Sequence, residues 1–127
     1  MVSGRRGLRD LRPGKGPLGG METVLWRSEA EAILFIPCDM PFLSEELLRK
    51  LVREFMRNRR LPAVIANPTL EPLIAIVPRV FREKITNAVD MEHLKVGRFW
   101  IDCGFSPVSA LDYSELHDAD YPWELPA

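Results

Sequence analysis

The apolar run Ile33-Leu34-Phe35-Ile36 leads into Pro37-Cys38-Asp39-Met40-Pro41-Phe42-Leu43, and a helix signal opens directly afterwards at Ser44. Few folds accommodate that succession. A short apolar run bounded by proline reads as a buried strand, and the missing proline N–H stops the ladder there. Ser44 suits an N-cap, and Glu45 and Glu46 suit the positive end of a helix dipole. Leu47, Leu48, Leu51, Val52, Phe55 and Met56 then recur on one helical face. A buried strand that meets a carboxylate and turns at once into a helix belongs to an open α/β sheet. Such sheets gather their ligands outside the carboxyl ends of the strands. Asp39 is therefore the first candidate functional residue.

The rest of the chain repeats the alternation. Residues 1–16 hold glycine, proline and arginine without apolar periodicity and read as a loop. Leu18, Met21, Val24 and Leu25 predict a helix from Pro17 or Leu18, and residues 32–37 the first strand. Pro62 ends the Ser44 helix, Ala63–Ala66 reads as a second strand, and Asn67–Glu71 as a turn. Leu73–Val77 is a third strand, followed by a helix bearing Val80, Phe81, Ile85 and Val89. A shorter helix is expected from Glu92 to Ile101, ended by Gly104, and a last strand over Val108–Leu111. The pattern predicts one domain over residues 1–127, with the α/β body at 17–127. Its architecture would be a three-layer sandwich around a mostly parallel sheet.

Composition narrows the function classes. With 46% hydrophobic and 28% charged residues and a net charge of −1, nothing favours nucleic acid or a membrane surface as partner. No apolar run approaches the roughly 20 residues of a membrane span. The N-terminal arginines precede no apolar segment of a secretory signal. Cys38 and Cys103 lack metal-ligand spacing, and a cytoplasmic location is expected. Cys38, beside Asp39, reads either as a reactive thiol or as a small buried filler at a strand end. Arg5, Arg6, Arg9, Arg12 and Lys15 form a basic front opposed only by Asp10. That front suits phosphate contact or a solvated terminus. His93 and His117 share no motif and read as surface residues, and Trp26, Trp100 and Trp123 as core or rim.

Two constellations carry chemistry. Pro13-Gly14-Lys15-Gly16-Pro17-Leu18-Gly19-Gly20-Met21 is a glycine-rich turn feeding a helix, which lets the backbone approach a ligand and offers it unpaired amides. Its spacing is that of neither a Walker loop nor a dinucleotide fingerprint. Asp39 reads equally as a Mg²⁺ ligand beside phosphates or as the cap of the following turn.

The order of these segments is specific: D-x-x-P-G-x-G-P-L-G-G, helix, apolar strand, P-C-D-x-P-F-L, helix. It resembles the MobA-like nucleotidyltransferases, in particular the molybdenum cofactor guanylyltransferases. Glu71-Pro72-Leu73-Ile74-Ala75-Ile76-Val77 is similar to that family's x-P-L-x-A-x-Y/V strand. Asp118-Ala119-Asp120-Tyr121-Pro122-Trp123-Glu124-Leu125 is similar to its closing N-x-N-T-P-E-E-L, with aspartates where the family has asparagines. The resemblance implies a Rossmann-like sheet and transfer of GMP from GTP to molybdopterin with Mg²⁺ and release of pyrophosphate. It implies nucleotide contacts from Asp10, Gly14, Gly16, Pro17, Leu18, Gly19 and Asp39. Asp39 would be the catalytic and metal-binding carboxylate, and Asp118, Asp120, Lys95 and Arg98 further contacts. The implied partners are GTP, molybdopterin, and a molybdoenzyme or a chain that completes the sheet. The alternatives are a cytidylyl- or sugar-nucleotide transferase of the same fold, or a non-catalytic nucleotide- or partner-binding remnant.

The family also opens with a strand and L-A-G-G-x-S-x-R-M-G-x-D-K, a pattern this sequence does not contain. Its absence predicts an N-terminally truncated reading frame with Met1 as an internal start. It further predicts an unpaired sheet edge at residues 32–37 and little turnover by the chain alone.

Overall fold

Ser44 behaves as its position predicts. In the computed structural model, which describes residues 11–38 and 43–110, its side chain accepts a hydrogen bond from the Leu47 amide at 3.1 Å. That cap starts α2 (Glu45–Arg57), with Leu51 and Phe55 buried on its inner face. The other helices are α1 (Gly16–Arg27), α3 (Arg82–Asp90) and α4 (Val96–Cys103), and the strands are β1 (Ala32–Phe35), β2 (Ala63–Asn67), β3 (Glu71–Pro78) and β4 (Ser106–Ser109). A 3₁₀ turn at Arg79–Phe81 joins β3 to α3.

The four strands form one sheet in the order β1-β3-β2-β4. β3 runs antiparallel to both β1 and β2, whereas β2 and β4 are parallel. Three of the four strands therefore share one direction, as expected of a mostly parallel sheet, with β3 inserted against them. A short turn between Asn67 and Glu71 can only return the chain antiparallel, since a parallel partner needs a crossover of a dozen or more residues.

Alternating side chains divide the core between the two faces of the sheet. Val64, Ala75 and Val77 point into the cluster under α1, α3 and α4, with Leu18, Ile85 and Trp100. Ala63, Ile65, Ile74, Ile76 and Val108 face α2, packed by Leu51 and Phe55. Covered on both faces, β2 and β3 read as unbroken apolar runs. Trp100 is fully buried, and its indole N–H donates to the Pro72 carbonyl at 2.9 Å.

Several boundaries differ from expectation. β1 ends at Phe35, because Pro37 has no N–H to donate to a ladder. The last helix begins at Val96, since Glu92 adopts φ 60 and ends α3 with a reversal rather than starting a new helix. The last strand spans Ser106–Ser109, paired to β2 through Val64↔Pro107 and Ile65↔Val108; Leu111 lies outside the described residues. Among the described residues β1 pairs only with β3. At this edge of the described sheet Leu34 is 41% exposed. No described helix is long and apolar enough to cross a membrane.

Candidate functional site

Strand directions decide which end of the sheet can hold a ligand. β1, β2 and β4 point the same way, so Phe35, Asn67 and Ser109 finish at one end, where β3 begins at Glu71. α1 returns to the start of β1 through four residues, Ser28–Glu31, so its own N-terminus lies at the carboxyl end of the strands. α4 returns likewise to β4 and places Lys95 there. The glycine loop before α1 and the Pro37-Cys38 segment leading to Asp39 are thus brought to one end, where an open α/β sheet binds its ligand.

The loop has a definite shape. Gly14 and Gly16 take φ 83 and 65, a region open to glycine at no steric cost. Both are exposed, and a Cβ added to either would meet nothing within 4 Å. Gly19 differs: a Cβ there would stand 2.6 Å from Lys15 Cβ, because the loop folds down on the first turn of α1. Pro17 occupies the first turn, where its missing N–H is harmless. Leu18 is fully buried, so any ligand contact from it is made by the main chain.

Polar contacts hold the loop from beneath. Arg12 donates to the Glu22 carboxylate through Nε at 3.3 Å and Nη2 at 2.6 Å. It also pairs with Asp90 and donates to the Thr86 carbonyl at 3.3 Å. Hydrogen bonds to Glu22, then to Asp90, raise the Arg12 pKa further above its ordinary range. Thr86 Oγ1 donates to Glu22 at 2.8 Å and accepts from the Trp26 indole at 2.8 Å. The Leu11 amide donates to Thr23 Oγ1 at 2.8 Å, and that hydroxyl donates to the Gly19 carbonyl at 3.1 Å. Lys15 pairs with Glu92. The two described cations of the basic front therefore face carboxylates rather than an open phosphate site. Sequence reasoning missed Glu22 in this role, although a signal was present: a carboxylate on the inward face of α1 between Met21 and Leu25 needs a buried partner.

The remaining candidates divide. Asp10, Asp39, Asp118 and Asp120 lie outside the described residues, as do Arg5, Arg6, Arg9, His117 and Trp123. Cys38 is exposed rather than a buried filler, because the strand has already ended. Lys95 and Arg98 line a groove of about 560 Å³ between α3 and α4 together with Lys84, His93, Asp102 and Cys103. Arg98 pairs with Asp102 at 3.1 Å. No group of three metal-ligating side chains stands together among the described residues.

A glycine loop at a helix N-terminus, set at the carboxyl end of a mixed sheet covered on both faces, defines an α/β domain of the class that takes ligands at that end. The chain belongs to the MobA-like NTP transferase domain family, whose model matches residues 3–102. It is 34% identical over 87 residues to a protein of Flavobacterium johnsoniae described as a probable molybdenum cofactor guanylyltransferase, covering 68% of this chain and 46% of that protein. It is 31% identical over 94 residues to one of Bacillus licheniformis with the same description, covering 72% of this chain and 48% of that one. The chain thus spans about half the length of these relatives. The fold is shared with molybdopterin-guanine dinucleotide biosynthesis protein A from Archaeoglobus fulgidus. There the TM-score is 0.67 at 17% identity, over 79% of this chain and 50% of that one.

Proposed function

We propose that this chain serves a guanylyltransferase reaction that moves GMP from GTP to molybdopterin. One observation carries the reading. The Gly14–Gly19 loop and the strand end leading to Asp39 meet at the same end of the sheet, in a chain whose relatives are described as guanylyltransferases. In the reaction a phosphate oxygen of molybdopterin attacks the α-phosphorus of GTP. The bond from that phosphorus to the bridging oxygen breaks, and pyrophosphate leaves with the electron pair. The exposed main chain at Gly14 and Gly16 suits an anionic or base-edge contact, and Asp10 would border the guanosine. Lys95 and Arg98, at the start of α4, would face the pterin phosphate.

A divalent cation suits a carboxylate at the ligand end of the sheet beside substrate phosphates. The protein's share of a Mg²⁺ shell would come from Asp39, with Asp118 and Asp120 as further oxygens, as the family resemblance implies. Ligand phosphates would complete it, the mode Mg²⁺ favours. When bound, the ion would neutralise charge on the transferred phosphoryl group.

A second reading, a nucleotide-binding module without turnover, is favoured by the engagement of Arg12 and Lys15 with carboxylates. One experiment separates the two. The 127-residue chain is titrated with GTP and Mg²⁺ by calorimetry, and pyrophosphate release is followed after adding molybdopterin. Binding that Asp39→Ala weakens about tenfold or more supports a metal-bridged nucleotide site. Unchanged affinity returns Asp39 to a capping role. Binding without pyrophosphate release selects the module.

A further inference from the structure

Gly14 and Gly16 have no side chains to pack against the described residues around them. A Cβ at either would meet nothing within 4 Å, and both residues are exposed. Glycine loses more conformational freedom on ordering than any other residue, so the loop's shape must be held by the residues around Gly14 and Gly16. The residues around them are tied to both helices. On α1, the Leu11 amide meets Thr23 and Arg12 meets Glu22; on α3 and the turn after it, Arg12 meets Asp90 and Lys15 meets Glu92.

One tie differs from the others. Glu22 is only 3% exposed, so its charge relies on partners rather than on water. Those partners are Arg12 and the Thr86 hydroxyl. A buried carboxylate that loses its cation is strongly unfavourable, which fixes where Arg12 must sit, two residues before Gly14. The planar guanidinium holds both Glu22 oxygens while still reaching Asp90 and the Thr86 carbonyl. A lysine ammonium has no such fork.

We infer that Arg12 and Glu22 are positioning residues: their ion pair behind the loop sets the conformation in which Gly14 and Gly16 present their main chain at the ligand end. The inference rests on the nucleotide reading above for what the loop presents itself to, not for how it is held. Neither side chain is placed to touch the nucleotide. Both act through the loop.

The test uses the full 127-residue chain and two readouts, affinity for a fluorescent GTP analogue with Mg²⁺ and amide hydrogen exchange over Gly14–Gly19. Glu22→Gln is expected to weaken affinity about tenfold, as displaced positioning groups do, and to speed exchange across the loop. Arg12→Gln should match it. Arg12→Lys, which keeps one charged contact, should recover part of both. Val108→Ala, in the cluster under α2 on the other face of the sheet, should lower Tm while leaving affinity and loop exchange alone. If Glu22→Gln behaves like Val108→Ala, with lower Tm but unchanged affinity and exchange, the inference is overturned and the pair is merely structural. If the wild-type chain does not bind the analogue, the nucleotide reading fails, and the exchange data still decide whether the pair orders the loop.

Discussion

Alanine substitution at Gly19 and at Gly97 should change stability in opposite directions, although both glycines are helical. In each case alanine is favoured over glycine within a helix by up to about 1 kcal/mol. At Gly97 that gain stands nearly alone: the new Cβ would lie 3.5 Å from Leu70 Cδ2 and 3.8 Å from the Pro72 ring, ordinary contacts. Gly97→Ala should therefore stabilise by about 0.5–1 kcal/mol. At Gly19 the new carbon would sit 2.6 Å from Lys15 Cβ, whereas carbon atoms prefer about 3.5–4.0 Å. Lys15 Cβ is bonded to the main chain, so no rotamer relieves the overlap and the backbone must shift by about 1 Å. Overpacking of this kind costs about 1–3 kcal/mol, which leaves Gly19→Ala destabilised by about 0–2 kcal/mol after the helical gain. The shift also strains the 3.2 Å bond from the Gly19 amide to the Lys15 carbonyl. Urea denaturation followed by tryptophan fluorescence measures both variants, and a separation of about 1–3 kcal/mol between them is expected. Equal stabilisation by the two alanines would refute the close approach of loop and helix.

Three further outcomes are expected. Ser44→Ala removes the acceptor of the Leu47 amide and should lower stability by about 1 kcal/mol in the same urea assay; no change would mean that the cap is not formed. Leu34→Lys puts a charge on the edge strand of the described sheet and should suppress concentration-dependent light scattering with little loss of stability, whereas unchanged scattering would clear that edge of any part in self-association. Burial raises the Cys103 thiol above its ordinary 9.0, Asp102 adds to this and Lys84 opposes it. The folded state then holds that proton more tightly than the unfolded state, so the contribution is full below pH 9.0 and is lost as pH rises beyond it. Cys103→Ala should flatten that alkaline limb; an unaltered limb assigns the loss to other groups.

The parts of the fold legible in the sequence are those set by local patterns. The cap at Ser44, the apolar face through Leu51 and Phe55, and the two-faced strands Ala63–Asn67 and Glu71–Pro78 follow from periodicity and from proline positions. The glycine loop was legible as a place where backbone is exposed, and Gly14 and Gly16 take the positive φ that exposure requires. Its support was not legible. Arg12 reaches Asp90 and the Thr86 carbonyl across more than seventy residues, and no spacing rule joins positions so far apart. Glu92 misled for the opposite reason: its composition suits a first helical turn, but its main chain reverses there and its carboxylate meets Lys15. Lys15 and Arg12 read from charge alone as suited to phosphate contact or to a solvated terminus, whereas nearby carboxylates take them up once the chain folds.

The reversed direction of β3 has a consequence for the order of assembly. Because β3 opposes β2, Val64 meets Ala75 across a tight turn, eleven residues away, while Val64 meets Pro107 only across an intervening chain of two helices. Closure entropy rises with the length of chain enclosed, so the innermost pair of the sheet is the easiest to zip. Val64→Ala should accordingly slow folding, whereas Val108→Ala should mainly hasten unfolding in stopped-flow measurements; equal slowing by both would place β4 in the nucleus as well. On this order, the turn between Asn67 and Glu71 is in place before α4 and β4 dock. The carboxyl end of the sheet is then built outward from the first step of folding.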